Sequence, residues 1–446
     1  MFGMLSSCGT TADASNSTDN TKKIRHSAPS NERFIVENSI ISDEGLSVVN
    51  VLDYYPVRER QLILQDQNLM VAINSAFYYS VTETLTLHTI IDEVLATASG
   101  PVSKSSIVAS EFTKLPPNVQ RIIRIMDEDQ FTYLFHMHRA PYSYIHFLKA
   151  AAKWPRFCGE VSENHLLIST VDQSAAMETV CKGELASMFA HFAQEVGANT
   201  GENNWREGLY FSEELGCDNG TCISYNATCF NGSWTQIVYP CAGDVTFHGR
   251  GAKQLTYNYN YGSFSRVIFN DFTLLTNPEL VAQDGFLAIA SAIYFYMTPR
   301  SPKPSIHQTV TGLWMPNAAD KKAGRDLGFA VQTLIINGGV ECGKKTRVNQ
   351  AANRANYFRN FSVYFGIWDS WFKSTQQHCD FSQTFSNDIS SSTYYKGFIA
   401  KQWDGSCHYV RWEETGFSAL FPGDLELCEQ SVAEKVYPSF PSTFTP

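Results

Sequence analysis

Apolar residues recur at helical spacing along most of the chain. Leu185, Met188, Phe189, Phe192 and Val196 fall on one face of a helix, and Glu195 falls at the edge of that stripe. Upstream, Ile90, Ile91, Val94 and Leu95 share a face, and Val119, Ile122, Ile123 and Met126 share another, with the Ser/Gly/Pro-rich loop Ser99–Ser106 between them. Tyr144–Trp154 reads as a helix stopped by Pro155. Further helices are expected over Ser162–Val180, Glu184–Val196, Leu280–Met297 (ended by Pro299) and Arg347–Phe365, the last with Tyr357, Phe358, Phe361 and Tyr364 on its apolar side. No alternation of strands with helices and no internal repeat is visible, so the expected fold class is mainly α with few short strands. The longest apolar run, Phe286–Met297, is interrupted by Ser291 and is too short to span a bilayer.

The pattern also divides the chain. Residues 1–33 are rich in Ser, Thr, Asn and Asp and read as a disordered polar tail. Residues 34–142 read as an N-terminal helical region without a visible chemical role. The segment 215–246 is irregular and cysteine-rich, and residues 367–446 read as a loop-rich, disulfide-stapled extension.

Composition narrows the choice of partner. The formal net charge of −10 argues against nucleic acid and against an anionic membrane surface. An aromatic content of 13% suits sugar-stacking surfaces as well as ordinary cores. Of 11 cysteines, Cys217, Cys222, Cys229 and Cys241 cluster, interleaved with glycosylation sequons at Asn219, Asn226 and Asn231; Asn16 and Asn360 begin two more. That combination points to an oxidising, extracellular setting, although no signal peptide is visible at the start of the chain. The cluster holds no histidine and fits no common zinc spacing, so no metal is expected. The odd count leaves one cysteine over, and Cys8 in the polar tail is the natural orphan.

Three stretches carry candidate chemistry. Glu195 ends an apolar helix, where partial desolvation would raise its pKa, and Glu213 and Glu214 follow the run Leu209–Phe211. One neutral and one ionised carboxyl group is the arrangement that cleaves a glycosidic bond; on these residues alone, ordinary solvated glutamates are the better reading. His248–Tyr261 sets the neutral groups of Gln254, Thr256, Asn258 and Asn260 beside Tyr257, Tyr259 and Tyr261, which suits an acetamido-rich sugar; an alternating edge strand fits the composition equally well. Asn337-Gly-Gly reads first as a turn, with a substrate-binding amide as the alternative. Glu341 and Arg354 are candidates for a buried ion pair near the first carboxylate.

Taken in order, FAHFAQE (Phe189–Glu195), YFSEE (Tyr210–Glu214), HGRGAKQLTYNYNYG (His248–Gly262), NPELVAQD (Asn277–Asp284), AIYFYMTP (Ala292–Pro299) and LIINGGVECG (Leu334–Gly343) closely resemble the family 19 glycoside hydrolases, the plant-type endochitinases. The resemblance covers roughly residues 143–366. It implies a lysozyme-like, bilobal helical domain with a deep substrate cleft, and endo-hydrolysis of β-1,4-linked N-acetylglucosamine polymers with inversion and without a cofactor. It implies Glu195 as general acid and Glu214, or the adjacent Glu213, as general base. It further implies Gln254, Thr256, Tyr259, Asn260 and Asn337 as substrate contacts, and Glu341 and Arg354 as a charged network around the acid. In such an inverting pair the carboxyl groups stand about 6.5–9.5 Å apart to admit a water. The partner implied is chitin or a chitooligosaccharide, bound by a monomer. A chitin-binding relative without turnover, and a hydrolase of a related wall glycan such as peptidoglycan, are the alternatives. The chain departs from the family pattern at Gln194 (usually His), beside the acid, and at Ala252-Lys253 (usually Pro-Ile).

Overall fold

The computed structural model describes residues 41–433 apart from 43–44, 47–50, 160–172, 202, 218–221, 230–233, 244, 301, 386–396, 400–406 and 411–416. The polar tail, Cys8, the sequons at Asn16, Asn219 and Asn231, and the 162–172 part of an expected helix lie outside the described residues.

Helices dominate. The first group comprises α1 (Val57–Leu64), α2 (Gln67–Ser75), α3 (Val81–Leu95), α4 (Ala109–Phe112), α5 (Pro117–Ile125), α6 (Glu128–Leu134) and α7 (Tyr144–Lys153). Local chemistry sets their starts. Ser80 with Glu83, and Asp127 with Gln130, form reciprocal capping boxes at α3 and α6, and the Ser143 hydroxyl accepts from the His146 N–H at α7. Next comes α8 (Gln173–Val196), one continuous helix where the sequence suggested two. It is followed by α9 (Trp234–Val238), α10 (Asn258–Phe269), α11 (Thr273–Thr276), α12 (Leu280–Gln283) and α13 (Gly285–Met297). The stretch expected as one helix over Leu280–Met297 is broken because the Asp284 carboxylate caps a new start, accepting from the Leu287 N–H at 2.8 Å. Gly285 is required there: a Cβ would fall 2.1 Å from His146 Nδ1 and 2.2 Å from the Pro141 carbonyl oxygen. The chain continues through α14 (Ile306–Val310), α15 (Ala318–Lys322), α16 (Phe329–Glu341), α17 (Asn349–Tyr364) and α18 (Asp424–Ala433). The strands among the described residues form two antiparallel hairpins, Ile41–Ser42 with Gly45–Leu46 and Gly397–Ile399 with His408–Val410.

At the centre α8 lies along α17, and α7 packs against α13, α3 and α5. Phe189 of α8 is fully buried, its ring 4.8 Å from Phe135, 5.7 Å from Phe147 and 5.6 Å from Phe361. The helices of residues 51–134 thus contribute to the same core as α8; Val119, Ile122 and Met126 are each 0% exposed. The C-terminal segment is tied in by charge. Asp424, fully buried, pairs with Arg266 at 2.5 Å, and the Glu59 carboxylate accepts from the N–H groups of Gly423 and Leu425.

Five disulfides join the cysteines among the described residues: Cys158–Cys181, Cys217–Cys222, Cys229–Cys241, Cys342–Cys379 and Cys407–Cys428. Two of them lie wholly inside the 215–246 insert, and Cys342–Cys379 anchors the end of α16 to the segment after α17. Within the insert Asn226, the asparagine of a sequon, is buried and spent on structure: its amide donates to the Val245 carbonyl and its oxygen accepts from the Phe247 N–H.

Truncating the central ring removes a large buried volume that its neighbours cannot refill. Phe189→Ala is expected to destabilise the protein by about 3–5 kcal/mol, read as a lowered denaturant midpoint at unchanged slope.

Candidate active site

The apolar stripe of α8 carries Glu195 to the last turn of the helix, as its spacing predicts. There the carboxylate meets the guanidinium of Arg354, which α17 projects from its own buried face; the Arg354 Nη2 to Glu195 Oε1 distance is 2.8 Å. Arg354 is shared. Its Nε donates to Glu341 Oε2 at 3.0 Å and its Nη2 to Glu341 Oε1 at 2.9 Å, and Glu341 is itself fully buried. The Asn337 amide donates to the same Glu341 Oε1 at 2.9 Å. Asn337 does not sit in a turn. It lies inside α16 at a kink, φ −143° and ψ 35°, where the helix runs on across the Asn-Gly-Gly segment. The kink places Asn337 one turn before Glu341, so amide and carboxylate meet. His191, one turn before Glu195 on α8, completes the cluster with Nδ1 3.3 Å from Arg354 Nη1 and its ring stacked on Phe329.

Two backbone connections bring Glu214 to this region. The N–H groups of Tyr210 and Phe211 both bond the Val196 carbonyl at 2.9 and 3.1 Å, folding the chain back onto the end of α8. The next residues pair with the His248–Leu255 turn: Gly251 N–H to Ser212 O at 2.8 Å and Glu214 N–H to Gly249 O at 2.9 Å. The turn is pinned on its other side by the Ala252 N–H to the Ala288 carbonyl of α13. Gly251 makes this possible, with φ +74° and a Cβ position only 2.8 Å from the Ala288 oxygen.

The two neighbouring glutamates differ in their partners. Glu213 Oε1 takes His248 Nε2 at 2.7 Å and Arg250 Nε at 2.9 Å. Burial pushes its carboxyl up, but these two groups outweigh that and hold it below the usual range. Glu214 has neutral donors: the Tyr225 hydroxyl at 2.6 Å to Oε1 and the Gly249 N–H at 3.2 Å to Oε2. A carboxylate accepts at about four lone-pair positions, so Glu214 keeps capacity for a water.

The acid candidate departs from the expectation in one respect. Burial does push the Glu195 carboxyl up, but the cations of Arg354 and Lys253 outweigh it and the pKa lies below the usual range, not above it. The same surroundings, burial first, then Arg354 and Lys253, keep His191 well below the usual histidine range. The groups that tune Glu195 are therefore Arg354 and Lys253, not the neighbouring Gln194, whose buried Oε1 has no hydrogen-bond partner.

The remaining predicted contacts sit on the turn and the start of α10, a turn and helix rather than an edge strand. Gln254 has φ +57°; its Nε2 donates to Gly251 O at 3.3 Å, and the Thr256 hydroxyl donates to Gln254 O at 2.8 Å. Asn260 bonds the Thr256 carbonyl at 2.6 Å. Tyr259 stacks on Tyr257 at 5.8 Å and lines a narrow pocket with Tyr239, Tyr294, Arg300 and Phe421. Tyr261 and Asn258 are structural: both are fully buried, and Asn258 donates to the carbonyls of Thr235 and Tyr239. Three participants had not been singled out. His191 carried a signal, being four residues before Glu195 on one helix. Lys253, whose ammonium lies 4.2 Å over the Phe295 ring, carried only its departure from the family pattern. Tyr225 carried none, because only the fold of the insert delivers it to Glu214.

Comparison with known proteins matches residues 137–370 to the family model of glycoside hydrolase family 19, described as chitinase class I. Chitinase 9 of Oryza sativa subsp. japonica is 37% identical over 234 residues, which is 51% of this chain and 61% of that protein. Endochitinase 2 of Gossypium hirsutum is 34% identical over 233 residues, 51% of this chain and 68% of the relative. The chain thus spans somewhat under or just over two thirds of the length of these curated relatives. Among solved structures, chitinase C from Streptomyces griseus HUT6037 aligns with a TM-score of 0.41 and 23% identity, covering 57% of this chain and 80% of that one. With the family pattern running from the segment before α7 to the segment after α17, and so through Glu195, Glu214, Glu341 and Arg354, the chain belongs to the family 19 glycoside hydrolases.

Proposed function

We propose that this protein is an endochitinase that cleaves β-1,4-linked N-acetylglucosamine polymers by an inverting acid–base mechanism. One observation carries the reading. Two glutamates on segments hydrogen-bonded to one another have opposite kinds of partner, a shared guanidinium for Glu195 and neutral donors for Glu214. In this mechanism the Glu195 carboxyl gives its proton to the glycosidic oxygen as the C1–O bond breaks. Glu214 takes a proton from a water that attacks C1 from the opposite face, and the nearby carboxylate charge favours the oxocarbenium-like transition state. Glu213 is the weaker candidate for the base, because His248 and Arg250 bond its Oε1 and hold its carboxyl below the usual range, which makes it a poorer proton acceptor.

The acid must carry a proton when substrate arrives. Arg354 and Lys253 favour its ionised form. Sugar filling the cleft strips water from the part of Glu195 that is exposed, 17% of the side chain, and so favours the neutral form. Arg354 then keeps Glu341 as counter-ion, so protonating Glu195 strands no buried charge. Gln254, Thr256, Tyr259, Asn260 and Asn337 serve as substrate contacts in this reading, with residues 143–366 as the catalytic unit. The five disulfides support a secreted protein; we take it to act as a monomer.

Glu195→Gln and Glu214→Gln are each expected to lower kcat on chitooligosaccharides by roughly 10²–10⁴ with the far-ultraviolet circular dichroism unchanged. Full activity in either variant removes that residue from the mechanism. Binding without turnover by the unsubstituted protein marks a lectin-like relative, and cleavage of peptidoglycan alone marks the other wall glycan. The first product, followed by proton NMR, is expected with inverted anomeric configuration; retention rules out the two-carboxylate water mechanism.

A pH profile tests the charge environment. Removing a cation beside a carboxyl raises that carboxyl's pKa, so the acid stays protonated to higher pH. Lys253→Met is therefore expected to move the alkaline limb of the kcat/KM profile upward. An unmoved limb shows that Lys253 does not act on the acid.

A further inference from the structure

A second polar cavity lies on α17. Its volume is about 340 Å³, and Asn204, Trp205, Asn353, Asn356, Tyr357 and Asn360 line it. Asn353, Asn356 and Asn360 recur at intervals of three and four, so they form one stripe on the helix. At about 100° per residue this stripe is turned roughly a third of a revolution from Arg354, the residue on the same helix that reaches Glu195. The loop after α8 supplies the opposite wall. Trp205 is half-buried, its ring set edge-on against Phe361 at 5.0 Å, and the buried Tyr357 also lines the cavity.

The chemistry of the lining selects a ligand class. Among the described residues no protein group hydrogen-bonds the side-chain amides of Asn353, Asn356 and Asn360. Three free amides beside an indole offer paired donors and acceptors next to an apolar face. Arg359 is the one charged residue in the lining, and its guanidinium lies 5.9 Å over the Trp368 ring. With no carboxylate there a cationic ligand finds no counter-charge, and one guanidinium is a poor match for a phosphorylated one. An apolar ligand would leave the amides unpaired. A neutral residue with hydroxyl and acetamido groups pairs with the amides and lays a face on Trp205. The volume is at the small end of ligand sites, about 300–1,000 Å³, which suits a short piece of one chain.

We propose that this cavity is a second glycan-binding site, which holds N-acetylated sugar residues of a chain apart from the catalytic cleft. The pocket's preference for a neutral sugar comes from its lining; the identity of that sugar as N-acetylglucosamine rests on the proposed function. The test is calorimetric titration of the Glu195→Gln protein with N-acetylglucosamine tetramer, repeated with Asn353→Ala and Asn356→Ala added. Because Asn360 begins a sequon, the protein is prepared without N-glycans. Both added changes are on the helix surface, where alanine favours the helix, so the fold is expected to persist. Two binding events are expected in the first protein. In the second, one of them weakens at least about tenfold, as loss of amide hydrogen bonds requires, while the other is unchanged. With Glu195 intact, the paired Asn substitutions are expected to leave kcat/KM on the soluble tetramer within about twofold and to lower binding to insoluble chitin. A single binding event insensitive to the Asn changes overturns the proposal, and so does equal weakening of both events. Absence of turnover on every chitin substrate overturns the catalytic reading only, because the calorimetric response to the Asn changes does not depend on cleavage.

Discussion

The buried guanidinium of Arg354 is the constraint on which this architecture depends. A cation with 2% of its side chain exposed is tolerable only with close counter-charges and satisfied donors. Glu341 supplies the permanent partner, accepting two of its N–H groups, and Glu195 the second. Because Arg354 belongs to α17, Glu341 to α16 and Glu195 to α8, satisfying this one charge sets how three helices meet. The aromatic packing of Phe189 and Phe361 between α8 and α17 makes the same pair of helices rigid. A carboxyl held at such a junction has little freedom of position, which is what proton transfer to a bound oxygen needs.

The second carboxyl is held in a different way, by backbone and not by a core charge. Glu214 lies where the Ser212–Glu214 segment pairs with the Gly249–Gly251 turn, and that turn is in turn bonded to α13. Glu213, on the same short stretch, is absorbed by His248 and Arg250, which fastens the segment and leaves Glu214 to neutral donors. The disulfide-bonded insert, expected to be irregular, carries the 3-10 helix Ile223–Cys229 and α9; Tyr225 on the first of these joins those donors, so the insert reaches directly into the chemistry.

Much of this was legible in the residues. Helical spacing located α3, α5, α7, α8 and α17, because burial of one face repeats at the helix period wherever the core is one-sided. The residues of the charged network, Glu195, Glu341 and Arg354, were named together from the motif order, as was the Asn337 amide. The boundaries were less legible. The expected helix over Leu280–Met297 broke at Asp284, whose side chain competes for the next helix start. Asn337-Gly-Gly continued as a kinked helix because Asn337 bonds Glu341 one turn on.

The sequence by itself determined the helical class, the disulfide-bearing character of the chain, the family and the list of carboxylates, since each follows from residue type, order or spacing. Tertiary structure alone decided the charge state favoured at Glu195. Burial by its own helix argued for a raised pKa, but Arg354 and Lys253, 159 and 58 residues away in sequence, reverse the sign. It also gave Glu213 and Glu214 different partners, charged or titratable side chains for the first and neutral donors for the second, and it gathered Asn204, Trp205 and the α17 asparagines around one cavity. The reason is the same in each case. Electrostatic and hydrogen-bonding environments are sums over neighbours in space, and a chain records its neighbours in sequence.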